Sequence, residues 1–264
     1  MIDRPLARGV LAFAILGVVF GIAGTSKGPK LHFGNTAVAA DTSQDEFEQR
    51  VRNYLLAHPE VIGDALNRLE AKQGENDAAA AQAALKAHAA EVFQNPNSPV
   101  GGNPNGNVTL VEFFDYNCPY CKMMSPVMAQ AETADPQLRI IYKEFPILGP
   151  GSVFAAKAAL AANKQGKYVA FHRALYQVRG HIEEPQVLEV ARTVGLNVDR
   201  MKTDMKDAAL DSFLERNVNL AQTLHITGTP GFVAGDQITT GATDLKTFQT
   251  LIAKARGGHQ EHTK

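Results

Sequence analysis

The stretch that decides the fold is Val108-Thr109-Leu110-Val111-Glu112-Phe113-Phe114-Asp115-Tyr116-Asn117-Cys118-Pro119-Tyr120-Cys121-Lys122. Its first half predicts a strand, Val108 to Phe114. Its second half opens a helix running from Pro119 to Ala131, with Pro119 at the first helical position, where a missing N–H costs nothing. Cys118 and Cys121 are the chain's 2 cysteines. A Cys-X-X-Cys pair at a strand-to-helix junction reads as a redox motif.

The helix N-terminus supplies the chemistry. Cys118 is expected at the cap, facing unpaired N–H groups and the positive end of the helix dipole. A thiolate there is stabilised and its pKa falls. Lys122 is expected to add a cation close by. Cys118 is then the exposed attacking sulfur, and Cys121, one turn on, the more buried resolving thiol. Other uses of the pair fit less well. Structural zinc needs four ligands and the chain has no second cysteine pair. A c-type haem needs His after the second Cys, where Lys122 stands. A structural disulfide closing so short a loop constrains little of the unfolded chain.

Outward from the motif, Gln137 to Glu144 reads as a second strand, joined to the first by the helix. The two should be parallel with a right-handed crossover. Phe145 to Gly151 is a loop. Residues 152–224 read as a run of helices: Phe154–Ala162, Lys167–Val178, Glu184–Val194, Val198–Asp207 and Leu210–Leu224. They are expected to form a helical insertion. Gly231–Ala234, Gly235-Asp236 and Gln237–Thr240 form a hairpin signal. Thr243 or Asp244 then caps a last helix, Leu245–Ala255. The polar tail, residues 258–264, is expected to be disordered.

Upstream, residues 41–94 read as a helical segment. Ser43 to Glu46 has the form of a capping box. Phe47, Val51, Tyr54 and Leu55 repeat on one helical face. His58-Pro59 breaks that helix and starts a second, carrying Val61, Ile62, Ala65, Leu66 and Leu69. Gly74 to Asp77 is expected to interrupt it before an Ala-rich helix, Ala78 to Phe93. These helices are thin in large apolar groups and cannot easily form a core alone. They either pack on the catalytic domain or pair between chains as a homo-oligomerisation stalk over residues 43–93. Their place before a Pro- and Gly-rich linker, residues 95–106, favours self-association.

The N-terminus reads as an export signal. Arg4 and Arg8 precede an apolar run, Val10 to Ala23, that suits a signal h-region better than a full membrane span. Ala37-Val38-Ala39 and Val38-Ala39-Ala40 both match a small-residue cleavage site. The long stretch from Gly24 to Thr36, with Lys27 and Lys30, keeps an uncleaved anchor open over residues 1–40. Either way the rest is expected outside the cytoplasmic membrane, in a periplasmic, disulfide-permissive compartment. The net charge of −1 suggests no nucleic-acid partner.

This layout resembles the thioredoxin superfamily and, within it, the DsbA-like branch of exported disulfide oxidoreductases. The residues that carry the resemblance are Val111 to Cys121, Tyr142 to Pro150, and Thr227-Gly228-Thr229-Pro230-Gly231-Phe232. A stalk followed by such a domain is similar to the copper-sensitivity-suppressor thiol oxidoreductases (the ScsC group) and their Com1-like relatives. The implied fold is α/β: a thioredoxin-like domain over residues 107–257 with a helical insertion, preceded by a helical stalk. Some of that group are trimeric isomerases.

The resemblance implies roles residue by residue. Thr229-Pro230 matches the superfamily's cis-proline, so Thr229, Pro230 and Tyr120 should meet the substrate, the Thr229 backbone by strand addition. Glu112 matches a buried acid that exchanges a proton with Cys121. Its bland alternative is a surface acid on the other strand face. Strongly oxidising members have His where Tyr120 stands, and Tyr carries no positive charge at neutral pH. A less depressed Cys118 pKa and a less oxidising couple are therefore expected.

The implied partners are exported protein substrates with cysteines and a membrane redox protein, either a DsbB-like oxidase or a DsbD- or ScsB-like reductase. No cofactor is expected. The leading reading is disulfide isomerase or reductase; the rivals are a dithiol oxidase, a copper-tolerance protein binding Cu(I) through Cys118 and Cys121, and an envelope interaction module worked by the stalk. Met123-Met124 and Met201 with Met205 could add soft ligands, though helix packing explains them more simply. His259 and His262 fall in the tail. Lys143-Glu144 is either a charge network near the site or a strand end.

Overall fold

The computed structural model describes residues 38–261, with side chains from 43 through 257. The expected export segment and the cleavage positions before Val38 lie outside the described residues, as do His262 and the side chain of His259. By its internal contacts the chain divides into two units, Met1–Ile62 and Gly63–Lys264.

In the first unit, α1 spans Val38–Ala57. The expected capping box therefore lies inside a helix that begins earlier, not at its start. Phe47, Val51, Tyr54 and Leu56 are exposed along α1. The expected break at His58-Pro59 is present, and α2 follows over Glu60–Ala87. The expected interruption at Gly74 is absent. One interior glycine costs about 1 kcal/mol, and the alanines after it restore helix propensity. The chain breaks instead at His88, before the short helix α3, Ala89–Gln94.

The second unit centres on a five-stranded sheet in the order β1-β3-β2-β4-β5. The first strand, β1 (Val100–Gly102), lies inside the segment expected to be linker and pairs antiparallel with β3. It is three residues long and two of them are glycine, so no alternation announces it. Gly102 has φ +64°, and a Cβ there would run into the Leu138 carbonyl oxygen. β2 (Val108–Phe114) and β3 (Leu138–Glu144) are parallel, as expected, with Glu112 opposite Tyr142. Between them runs α4, Pro119–Ala134.

The helical insertion is α5 (Pro150–Asn163), α6 (Tyr168–Tyr176), α7 (Glu184–Thr193), α8 (Val198–Asp204) and α9 (Ala208–Thr223). The hairpin then forms β4 (Gly231–Ala234), antiparallel to β2, and β5 (Gln237–Thr240). Gly235, at the turn, has φ +59°. The last helix, α10, runs Leu245–Glu261, beyond its expected end at Ala255 and into the tail expected to be disordered.

Strand alternation sorts the two faces. Leu110, Phe114, Ile140 and Phe232 pack with α4, α10 and the insertion. Val111, Phe113, Ile141 and Val233 face the other way, against Leu220 and Leu224. Leu85 and Val92 join this second cluster. The end of the expected stalk thus contributes to the core of this second unit. Lys143, fully buried, reinforces the attachment by donating to the Glu91 carbonyl at 2.7 Å and Ser98 Oγ at 2.9 Å. Among the described residues no helix is long and apolar enough to cross a membrane.

Candidate active site

The loop leaving β2 is fixed by three consecutive residues. Asp115 Oδ1 accepts from the Asn117 N–H at 2.7 Å, and Oδ2 from the N–H groups of Ile147 and Leu148 at 2.9 Å each. Tyr116 donates to Glu144 Oε1 at 3.2 Å and lies 3.1 Å from His172 Nδ1. Asn117 reaches the insertion: its Nδ2 donates to Ser152 Oγ and the Ile182 carbonyl, and its Oδ1 accepts the Ile182 N–H at 2.6 Å. The cysteine that follows is therefore held against both halves of the domain.

Cys118 occupies the N-cap of α4 with extended backbone (φ −74°, ψ 118°), and Pro119 opens the helix. Its sulfur accepts the Cys121 N–H at 3.4 Å. Its thiol donates to the Thr229 carbonyl at 3.2 Å. The pKa is lowered to about 6, chiefly through the side-chain hydrogen bond with Cys121, then through the Thr229 side chain and the N–H groups of Cys121 and Tyr120; burial opposes them. The helix-terminus effect is thus realised as specific donors to one sulfur. Two expectations need correction. Cys118 is not exposed: it is 3% accessible, because it tucks under residue 229. Lys122 does not serve the thiolate; its Nζ donates to the carbonyls of Gly180 at 2.6 Å and Val178 at 3.3 Å.

Cys121 is fully buried, and burial first and the Cys118 hydrogen bond second push its thiol far up. It does not ionise unaided. Glu112 is also buried, on the β2 face turned towards α4, which rules out the surface-acid alternative. Burial and then the Cys118 charge raise its pKa to about 8. The Thr229-Pro230 peptide is cis, as expected, and its carbonyl meets the cysteine loop. Tyr120 and Met123 stand exposed on the first turns of α4. Met201 and Met205 are buried packing residues, and Met124 Sδ accepts the Thr243 N–H at 3.3 Å.

Lys143 and Glu144 part company, as adjacent strand residues must. Lys143 goes to the rear face, and Glu144 goes to the site side, where Tyr168 also donates to its Oε1 at 2.6 Å. Burial raises the Glu144 carboxyl well above its ordinary range and lowers the neighbouring His172 to about 3. This cluster of Tyr116, Glu144, Tyr168 and His172 was not foreseen. Strand alternation puts Glu144 on the same face as Tyr142, a signal that could have given its side, but nothing local shows that α6 lands there.

Residues 109–253 match the family described as DSBA-like thioredoxin domain. Residues 44–75 match the copper resistance protein ScsC N-terminal domain. A thioredoxin-like oxidoreductase from Silicibacter pomeroyi DSS-3 is 45% identical, with a TM-score of 0.62, covering 64% of this chain and 97% of that one. BcfH of Salmonella enterica Typhimurium is 30% identical, with a TM-score of 0.68, covering 84% of this chain and 100% of that one. The Na(+)/H(+) antiporter NhaA 1 of Salinispora arenicola is 26% identical over 161 residues, 60% of this chain; the chain spans only 25% of that protein's length.

Proposed function

Because this chain belongs to the DSBA-like thioredoxin domain family, we propose that it is a thiol-disulfide oxidoreductase acting on protein substrates. The supporting observation is one sulfur, Cys118, with its pKa lowered to about 6 beside a resolving thiol that cannot ionise alone. The Cys118 thiolate attacks a substrate disulfide. One S–S bond breaks, a mixed disulfide forms through Cys118, and the other substrate sulfur leaves as thiolate. If the exchange does not complete within the substrate, Cys121 attacks the Cys118 sulfur. Glu112 takes the Cys121 proton, the substrate leaves reduced, and the pair ends oxidised. Run in reverse, the same steps donate the disulfide.

Glu112 is timed for this task. Part of its raised pKa comes from the charge on Cys118. Once Cys118 is bonded to substrate that charge is gone, and the carboxylate becomes easier to form just when Cys121 must ionise. Thr229 and Pro230 line the substrate strand, and exposed Tyr120 meets its side chains.

The favoured direction is isomerase or reductase, reset by a membrane electron donor outside the cytoplasm, with α1 and the start of α2 pairing between copies. Tyr120, which adds no cation, favours a less oxidising couple. Trapping the pair in cells tests this: a mainly reduced Cys118–Cys121 is expected, and a mainly oxidised pair would make the protein a dithiol oxidase instead. The match to the copper resistance domain favours a second reading, protection of thiols under copper stress. Titrating the reduced protein with Cu(I), with and without both cysteines, tests whether the pair itself holds the metal.

A further inference from the structure

The redox pair is bracketed. Asn117, just before Cys118, and Lys122, just after Cys121, reach the same loop of the insertion, the one joining α6 to α7. Asn117 holds Ile182 by both its N–H and its carbonyl. Lys122 Nζ takes the carbonyls of Gly180 and Val178. Gly180 has φ +75°, a left-handed backbone that suits glycine. α6 ends at Tyr176, and carbonyls at a helix end lack helical partners. A lysine at the end of its own helix can serve such carbonyls. Here the lysine comes from another helix. Burial lowers its pKa, and among the described residues its side chain bonds carbonyls and no carboxylate. Its ammonium is committed to the loop.

Lys122 is also the residue that closes the reactive turn. Its backbone N–H donates to the Cys118 carbonyl at 3.1 Å. Within that turn lie the N–H groups of Tyr120 and Cys121 that stabilise the sulfur. The Cys121 N–H is 3.4 Å from it, so a small drift of the turn would lose the bond. The outer side of the turn has no support, since Tyr120 and Met123 are exposed. We propose that Lys122 is a positioning residue for the nucleophile: anchored on the loop after α6, it holds the first turn of α4 so that its N–H groups stay on the Cys118 sulfur. It touches neither sulfur and acts through the backbone. The inference rests on Cys118 being the stabilised nucleophile.

The test is the pH midpoint for alkylation of Cys118 by iodoacetamide in the reduced, full-length protein. It is run in about 1 M salt, where the screening length is about 3 Å and the effect of a lost charge is suppressed. Lys122→Met removes the donors and keeps the length of the side chain. Gly180→Val keeps the ammonium but strains the loop that presents the carbonyls; its added side chain meets open space. Each is expected to raise the midpoint by about one pH unit, the worth of one modest hydrogen bond. The double variant should rise no further than either single one. A contact that only stabilises the fold would lower unfolding stability and leave the midpoint near 6, and that result overturns the proposal. It is also overturned if only Lys122→Met moves the midpoint, because Lys122 would then act without the loop, or if the two changes add. A parent midpoint near 9.0 would instead sink the underlying reading of Cys118. Should one variant fail to fold, the midpoint of the other decides.

Discussion

The sulfur of Cys118 lies 3.2 Å from the carbonyl oxygen of Thr229, and in the thiol form it donates to that oxygen. The thiolate has no proton to give, so ionisation frees the carbonyl. A substrate N–H can then take the vacated position, which is how strand addition begins. One proton loss arms the nucleophile and uncovers the acceptor that aligns its target.

Glu112→Gln should stabilise the fold while slowing the chemistry. Burial raises the Glu112 pKa from 4.5 to about 8. The folded state therefore binds more protons than the unfolded one between those values, and stability drains away as pH climbs through that window. Glutamine removes the loss. Urea unfolding should show the variant ahead of the parent at pH 8 and level with it near pH 4. Resolution by Cys121 should fall on the order of a hundredfold, as for a lost general base. Equal pH–stability curves would count against a buried, neutral acid.

Asn117→Ala removes three hydrogen bonds between the cysteine loop and the insertion, leaving the N–H and C=O of buried Ile182 unpaired. A loss of about 1–3 kcal/mol is expected. Asn117→Asp keeps the acceptor but not the donors and should fall between. Chemical denaturation of all three proteins measures it; an unchanged Asn117→Ala stability would mean the clasp carries nothing.

Lys143 is held by Glu91 and Ser98, and burial lowers its pKa from 10.5 to about 8. Between those values the unfolded chain binds more protons, so the parent should gain stability as pH rises from 8 towards 10.5. Lys143→Met should lack that gain. A rise of the same size in the variant would place the buried charge elsewhere.

Deleting residues 43–75 should yield a monomer that still reduces small disulfides but no longer isomerises proteins. Deleting as far as residue 93 should also destabilise the fold, because Leu85 and Val92 are core. Light scattering and thermal unfolding separate the two effects. A parent protein already monomeric would remove the stalk's assigned role.

Much of this was legible along the chain. The Val108–Cys121 stretch placed the strand, the helix and the pair, because the strand signal and the Pro at the helix start are local. Thr229-Pro230 was legible through resemblance alone. β1 was not, since two glycines in three residues show no pattern. The continuity of α2 was missed because Gly74 weakens a helix without ending one. The burial of Cys118 and the turn of Lys122 towards Gly180 both depend on where α6 and the residue 229 loop arrive from distant sequence.

The most direct measurement is alkylation of the reduced protein across a pH series, with the modified residue identified at each point. Cys118 should react first, with a midpoint near 6, while Cys121 stays protected throughout. A Cys118 midpoint near the ordinary value of 9.0 would contradict the assignment of this sulfur as the stabilised thiolate.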